Sequence, residues 1–316
     1  MNTAAPTAAS HAERMGPFVD SVPLLNDAAA LKARAAEDGY LFFKGLIPAQ
    51  DISALRAKML GVVDRIGWRA AGQDELGGRL NLGALPLVPE DAMRTDIGVP
   101  KTAYHDTQRL QAMHALPHHP NLIALYRTLF GREVLVHPRH IARMITSHPN
   151  VFPTPPHQDF PLIQGTGNTW TAWIPLGDCP RPMGGLAVLR ASHKHGYHPI
   201  QPSKGAGGIA VPLCAGEVDW RTTDYAAGDV LTFPSYTIHR GVKSERRDEI
   251  RLSLDVRFQP VDEIVEAKSL LPHCDLTWDE IYAEWTSEEL KYYWRKLPLK
   301  MSGWDDSLLQ PKRRIC

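Results

Sequence analysis

The chain has 316 residues, 43% of them hydrophobic, and is long enough to bury a substantial core as one large domain or two smaller ones. Lys and Arg number 35 and are balanced by 35 Asp and Glu, which argues against a nucleic-acid or anionic-membrane partner. Because the four cysteines are scattered without a CxxC pair and no stretch approaches the roughly 18 apolar residues of a membrane span, we expect a cytoplasmic protein without a signal peptide.

The N-terminal part of the chain is predicted to be helical. Residues 1–20 have the composition of a flexible tail, and residues 21–131 then carry three stretches with helical features. The predicted helices begin near Asn26, Pro48 and Asn121. A buried strand is predicted over residues 40–43. Residues 72–101 show no periodicity and predict a long loop, a kind of segment that is usually functional or disordered.

From residue 132 the pattern changes to β structure, which continues to about residue 262. Short apolar runs alternate with clusters of Gly and Pro, and this indicates a sandwich or barrel of short strands. The predicted strands cover residues 134–136, 141–145, 169–176, 186–189, 209–213, 230–233 and 251–258. Residues 263–316 are predicted to be helical again, since Thr277 and Thr286 each begin a Thr-x-x-Glu capping box. No linker divides two cores, so residues 21–316 predict one domain, mainly β with flanking helices.

One short stretch, PPHQDFPLIQG, holds two acid–base side chains separated by a single residue. In an extended segment His157 and Asp159 would point to the same side and could bind one metal ion. An H-x-D pattern alone is a weak signal, but a third donor would complete the facial triad typical of non-haem Fe(II) oxygenases. His239 is the candidate, because it follows an apolar strand and lies far enough along the chain to return to the same place.

The stretch RLSLDVRF alternates strictly between polar and apolar residues, and its polar face begins with Arg251 and Ser253. On most antiparallel sheets such a face is exposed to solvent. The alternative is that it points inward, where a guanidinium and a hydroxyl would bind a carboxylate. The alternation is compatible with both orientations.

Taken in order, six stretches resemble the phytanoyl-CoA dioxygenase family of Fe(II)/2-oxoglutarate-dependent oxygenases. They are EDGYLFFKGLIP, HQD, TAWIPLGD, GGLAVLRASHKHG, GDVLTFPSYTIHRG and RLSLDVRF. The resemblance implies a double-stranded β-helix, the jelly-roll or cupin-like barrel, with a metal site at its mouth. It also implies Fe(II) as the metal, 2-oxoglutarate as the cosubstrate and O2 as the oxidant.

Carried over position by position, the resemblance implies a role for seven residues. The iron ligands would be His157, Asp159 and His239, and the residues around the cosubstrate would be Arg251, Ser253, Gln158 and Trp173. Arg251 would bind the far carboxylate of 2-oxoglutarate. Related radical halogenases lack the carboxylate ligand, so the presence of Asp159 argues against halogenation.

Two further arginines are candidates for contact with the substrate. Arg143 lies in a region where family members often place a basic residue. Arg190 and Ala191 stand where the family commonly has Pro-Gly, and this departure leaves two alternatives. Arg190 is either a substrate contact or a surface residue.

The resemblance implies a catalytic domain that hydroxylates an unactivated C–H bond, with release of succinate and CO2. Because no basic segment strong enough to hold a CoA is evident, we expect the substrate to be a small organic molecule of natural-product metabolism. Two alternatives stay open: a cupin-like metal-dependent isomerase or hydrolase, and a non-catalytic barrel that binds a metal or a ligand. A small-molecule substrate is the expected partner. The aromatic residues of the C-terminal region indicate either core packing or a homodimer face.

Overall fold

The computed structural model describes residues 15–214, 216 and 218–312, and helices occupy mainly the N-terminal half. The α-helices are α1 Ala28–Asp38, α2 Ala49–Arg65, α3 Lys101–Gln108, α4 Gln111–Ala115, α5 Pro120–Phe130, α6 Phe160–Ile163 and α7 Trp278–Tyr282. Asp27 caps α1 by accepting a hydrogen bond from the amide of Ala30, and Gly39 ends the helix in the left-handed conformation. Within the described chain, no helix combines the length and apolarity needed to cross a membrane.

The strands are short, with one exception near the centre of the fold. They are β1 Met15–Gly16, β2 Leu41–Phe43, β3 Met93–Arg94, β4 Val99–Pro100, β5 Val134–Val136, β6 Ile141–Ile145, β7 Trp170–Pro175, β8 Leu186–Leu189, β9 Gln201–Pro202, β10 Ile209–Ala210, β11 Trp220–Arg221, β12 Val230–Pro234, β13 His239–Gly241, β14 Arg251–Pro260, β15 Ile264–Glu266 and β16 Lys300–Ser302. The exception is β14, whose ten residues are all buried.

Two sheets carry the candidate site. The major sheet has the order β2-β12-β7-β14, with β5 and β6 both pairing along the far side of β14. The minor sheet has the order β1-β11-β8-β13. Side chains of both sheets meet in one hydrophobic cluster, which includes Trp173 and Phe233 from the major sheet and Leu186 from the minor sheet. The fold is therefore built of β-sheets with helices packed around them.

The long strand β14 separates two different environments. Its apolar residues, from Leu252 to Phe258 at every second position, belong to the main hydrophobic core together with α2 and α5. Its polar residues face the other way, toward the minor sheet, where Arg251 and Arg257 line a cavity. The inward orientation of this polar face agrees with one of the two alternatives that the sequence left open.

Most predicted elements are present, with ends that differ by at most two residues, except that the strand predicted over residues 209–213 covers only Ile209–Ala210. The predicted flexible tail is shorter, because Met15–Gly16 pairs with β11 and Phe18 is buried against Tyr40; residues 1–14 lie outside the described residues. The predicted loop 72–101 contains the short strands β3 and β4.

The C-terminal region is less helical than predicted. The capping box at Thr277 is present and begins α7, but Thr286 begins no helix, because its amide donates to the side chain of Gln111. Strands β15 and β16 pair in parallel instead. The aromatic residues of this region pack with one another and are buried or half-buried in a separate cluster, which includes Trp278, Tyr282, Trp285, Tyr292 and Trp294.

Gly98 is expected to tolerate no side chain. Its φ of +107° is unfavourable for other residues, and an added Cβ would lie 2.3 Å from the carbonyl oxygen of Met144. We therefore expect Gly98→Ala to lower the free energy of unfolding by more than about 2 kcal/mol. Gly61 in α2 is the control, because an added Cβ meets no atom within 4 Å, and Gly61→Ala should stabilise the helix by about 0.5–1 kcal/mol. Urea unfolding measures both, and equal midpoints would contradict the prediction.

Buried histidines should make the stability depend on pH. Burial lowers the pKa of His114, His118 and His137 to about 4, whereas an unfolded histidine titrates near 6.5. The unfolded chain thus binds more protons between these values, and the free energy of unfolding should fall as pH drops from about 6.5 to 4, by up to about 3 kcal/mol per histidine. The free energy of unfolding should differ less between pH 7 and pH 5 in His114→Gln than in wild type. In the control variant His195→Gln, at an exposed position, this difference should equal that of wild type.

Candidate metal centre

The two histidines of the predicted triad face each other across a β-bridge. The amide of His157 donates to the carbonyl of His239 at 3.0 Å, and the amide of His239 donates back to the carbonyl of His157 at 2.9 Å. Because directly paired residues place their side chains on one face, the imidazole rings lie side by side with centroids 4.1 Å apart. The loop before α6 is thereby attached to β13.

Each imidazole has one nitrogen engaged by the backbone and one directed at the carboxylate. Nδ1 of His157 lies 2.9 Å from the carbonyl of Pro155, and Nδ1 of His239 lies 3.0 Å from the carbonyl of Thr237. A carbonyl only accepts, so Nδ1 carries the proton in both rings and Nε2 keeps its lone pair. The Nε2 atoms lie 3.7 and 3.8 Å from Oδ1 of Asp159.

The two carboxylate oxygens of Asp159 have different surroundings. Oδ1 faces the two histidines, whereas Oδ2 accepts a hydrogen bond of 2.5 Å from Thr171 and lies 3.6 Å from Nη2 of Arg257. Burial opposes ionisation of Asp159, but Arg257, the two histidines and Thr171 together hold its pKa well below the usual value. Burial, helped by His239, lowers the pKa of His157 to about 3. The centre therefore holds one carboxylate and two neutral imidazoles.

This donor set fits a divalent transition metal. The three ligand atoms lie within 4.8 Å of one another, all three residues are buried, and among the described residues this is the single group with such an arrangement. Two imidazole nitrogens and one carboxylate oxygen are the ligands of a facial triad with open positions. Hydrogen bonds to both Nδ1 atoms and to Oδ2 orient the ligands from behind, as in established metal sites.

A narrow cavity, here called the Arg251 cavity, extends from the triad between the two sheets. Its lining includes Thr171, Trp173, Phe233 and Arg251. The Arg251 guanidinium is buried, with Nη1 donating to the carbonyl of Gly184 and its carbon 5.8 Å from the Trp173 ring centre.

The Arg251 cavity fits an anionic ligand. Nε of Arg251 is buried without a hydrogen-bond partner among the described residues. Oγ of Ser253 is likewise buried without a partner among them, but Ser253 does not line the cavity. A buried guanidinium with no carboxylate partner is costly, and an anionic ligand would compensate its charge.

A second cavity, here called the Arg139 cavity, opens on the other side of the triad. It shares His157, Asp159, Arg143 and Arg257 with the Arg251 cavity. Its other lining residues are Asp96, His137, Arg139, Ile141, Leu162, Ile163, Ala206, Gly207, Lys268, Ser269, His273 and Trp304. The triad lies where the two cavities meet, so ligands in both could reach the same metal.

One of the predicted cosubstrate residues, Gln158, does not have the surroundings that were expected. The side chain of Gln158 points away from the triad. Its Nε2 donates to the backbone carbonyls of Gly196 and Tyr236, and its Oε1 accepts a hydrogen bond from the backbone amide of His198. It connects loops and does not line the Arg251 cavity, because neighbouring residues of an extended segment face opposite ways.

The two candidate substrate arginines are both ion-paired. Arg190 bonds Asp38 at 2.7 Å and Glu37 at 3.0 Å and lines neither cavity, which favours the alternative that it is a surface residue. Arg143 lines both cavities, but its Nε donates to Asp255 at 2.7 Å. Its charge is thus already compensated.

Several site residues were not singled out from the sequence. Thr171 lies two positions before Trp173 on β7, and Asp255 and Arg257 continue the polar face that begins at Arg251. The period-2 alternation was the signal that could have identified all three, because residues on one face of a strand share one environment.

Comparison with known proteins identifies the family. The model of the phytanoyl-CoA dioxygenase (PhyH) family matches residues 35–247, which contain the whole triad. The chain belongs to the phytanoyl-CoA dioxygenase family. It is therefore an iron- and 2-oxoglutarate-dependent oxygenase, and its buried His-Asp-His triad provides the metal-binding site that this class requires.

Two relatives are similar over most of the chain. The 1-deoxypentalenic acid 11-beta-hydroxylase of Streptomyces arenae is 27% identical over 77% of this chain and 85% of its own length. The protein of the same name from Streptomyces exfoliatus is 28% identical over 78% and 87%. Among solved structures, the epimerase SnoN from nogalamycin biosynthesis, in complex with Fe3+ and alpha ketoglutarate, superposes with a TM-score of 0.51 at 23% identity, covering 76% of this chain and 86% of its own. This likeness shows a shared fold.

The hydrogen bond from Thr171 should contribute to metal affinity. Thr171→Val keeps the shape but removes the donor to Oδ2 of Asp159. We expect Fe(II) to bind roughly 10- to 100-fold more weakly, the range typical for partners behind a metal ligand. Anaerobic calorimetry measures the dissociation constant, and Thr128→Val, at a half-buried position of α5 outside the metal centre, is the control. Unchanged affinity in Thr171→Val would show that Asp159 needs no such support.

Proposed function

We propose that this oxygenase hydroxylates an unactivated C–H bond of a small organic molecule in natural-product metabolism. The two relatives reported above are hydroxylases of 1-deoxypentalenic acid, and they match more than three quarters of the chain. The observation that carries the proposal is that three buried metal-ligand atoms share one cavity with the buried guanidinium of Arg251, whose Nε has no hydrogen-bond partner among the described residues.

We assign a role to each residue of this arrangement. His157, Asp159 and His239 hold iron, and Arg251 binds the far carboxylate of 2-oxoglutarate with help from the hydroxyl of Ser253. Trp173 packs along the guanidinium and restricts its position. Iron and 2-oxoglutarate supply the oxidising chemistry when bound, consuming O2 and releasing succinate and CO2.

The surrounding residues would keep the reacting centre dry and correctly protonated. The three ligand residues are at most 5% exposed, and Phe233 lies with its ring centre 4.4 Å from that of His239. Neutral imidazoles and an ionised carboxylate are ready to bind a cation without first releasing protons. Exclusion of water from such a centre strengthens every electrostatic contact within it.

We further infer that the two sheets form the jelly-roll barrel implied by the resemblance and that residues 21–316 act as one catalytic domain. The shared hydrophobic cluster between the sheets supports this arrangement. A homodimer and a cytoplasmic location stay predictions. A metal-dependent isomerase or hydrolase without 2-oxoglutarate is disfavoured, because it would leave the buried charge of Arg251 uncompensated.

An anaerobic titration tests the proposed function. Apo protein receives Fe(II) and then 2-oxoglutarate, and we expect a visible metal-to-ligand charge-transfer band. Arg251→Gln should weaken 2-oxoglutarate binding roughly 30-fold or more, because removing one partner of a buried charged pair costs at least about 2 kcal/mol. Arg190→Gln, at the ion-paired surface, is the control and should bind like wild type. If wild type binds iron but gives no band at saturating 2-oxoglutarate, the proposal is wrong.

A further inference from the structure

The Arg139 cavity contains more positive charge than its carboxylates can neutralise. Three arginines and Lys268 line it, against two carboxylates, Asp96 and Asp159, and one of the arginines, Arg143, is already paired with Asp255. Asp159 belongs to the metal centre. Asp96 is already bonded by Arg94, which does not line the cavity and donates from Nε and Nη2 to the two carboxylate oxygens at 2.9 Å each. The positive charge therefore faces a space with no acid left to pair with it.

Arg139 lines this cavity, and only one of its three guanidinium nitrogens forms hydrogen bonds within the described residues. Nη1 donates to the carbonyl of Pro272 at 2.6 Å and more weakly to the carbonyls of Leu271 and Lys268. Within the described chain Arg139 forms no ion pair, and its Nε and Nη2 form no hydrogen bond. These two atoms make up one edge of the guanidinium, the same edge with which Arg94 binds the carboxylate of Asp96. Carbonyls thus position Arg139 while its carboxylate-binding edge has no partner.

Arg257 adds a second positive charge at the inner end of the cavity. It is 7% exposed, and its Nε has no hydrogen-bond partner among the described residues. Among the described residues its one ion-pair contact is with Asp159, at 3.6 Å, a distance that is too long for a hydrogen bond. Burial, together with the neighbouring charge of Arg257, lowers the pKa of Arg139. Two guanidiniums that repel each other in a closed space would be stabilised by an anion between them.

The mouth of the cavity has a similar character. Nζ of Lys268 lies 3.8 Å from the ring centre of Trp304, so the aromatic ring and the ammonium stand together at the edge of the same space. Lys268 forms no ion pair within the described residues. An anionic molecule approaching the opening would meet a positive charge first and then the two arginines.

We propose that the substrate of this oxygenase carries a carboxylate, which binds to the Nε–Nη2 edge of Arg139 in the field of Arg257. The proposal rests on the proposed function and deepens it, because it assigns a substrate class and a specificity residue to the side of the triad opposite Arg251. A carboxylate matches a single guanidinium edge, since two oxygens meet two parallel N–H groups. The reacting C–H bond then belongs to the part of the molecule that extends toward the triad.

Binding to the loaded protein tests the proposal. The protein is prepared anaerobically with Fe(II) and saturating 2-oxoglutarate, and its charge-transfer band is recorded. The probes are alicyclic monocarboxylic acids of increasing size, from cyclohexanecarboxylic acid upward, each with its methyl ester and its primary alcohol. Dissociation constants come from calorimetry and from the change in the band. We expect acids of suitable size to bind wild type at least about tenfold more tightly than their esters and alcohols.

Variants of Arg139 identify the site. Arg139→Gln should lose the preference for acids, and Arg139→Lys, which keeps the charge but not the paired edge, should retain part of it. Arg127→Gln, on the exposed side of α5, should behave like wild type. An unchanged charge-transfer band and thermal midpoint in Arg139→Gln would show that the variant is folded and still binds 2-oxoglutarate.

Each result decides the question. Absence of the band in wild type would overturn the proposed oxygenase function itself. If the band is present but no acid binds more tightly than its ester, whether both bind or neither does, the carboxylate proposal alone is overturned. A preference for acids that survives in Arg139→Gln would also overturn it, because the anion would then bind elsewhere.

Discussion

The metal centre depends on one short backbone contact, the pair of hydrogen bonds between His157 and His239. These bonds join a loop to the edge strand β13, and they place two imidazoles on one face before any side-chain interaction is made. Asp159 follows two residues later, where the backbone turns into α6 with φ −73° and ψ −28°, and its Oδ1 lies 3.7 and 3.8 Å from the two Nε2 atoms. A shift of one residue in this pairing would turn a histidine away from the centre, which is why the register matters more than any single contact around it.

The strand β14 shows how a folded chain can hold charge in its interior. One face contributes apolar side chains to the main core, and the other places Arg251, Asp255 and Arg257 between the sheets. Desolvation of these groups opposes folding, and only part of the cost is offset, through Asp255 with Arg143 and Arg257 beside Asp159. The remaining cost falls when an anion binds, so ligand binding and folding stability are linked through the same side chains.

Most of the scaffold could be predicted from the sequence, because periodicity and glycine positions report local structure. The triad could be proposed because the H-x-D spacing and a strand-borne histidine are local signals as well. Contacts between segments that are distant in the sequence could not be predicted in this way. Arg190 forms an ion pair with Asp38, and the amide of Thr286 donates to the side chain of Gln111 instead of beginning the predicted helix. The orientation of Gln158 could have been predicted from the sequence. Side chains alternate in an extended segment, so a residue between His157 and Asp159 is expected to face away from both.

The division of the interior into two cavities explains how two carboxylic acids could be kept apart. Arg251 lies at the end of one cavity and Arg139 in the other, with the triad where they meet. Arg143 borders both and would attract either acid, but the hydrogen bond from its Nε to Asp255 neutralises it. Asp255 therefore does more than balance a charge. By pairing with Arg143, it leaves Arg251 in one cavity and Arg139 in the other as arginines without an ion pair among the described residues. Under the two proposals, the shape of each cavity would then sort the two acids.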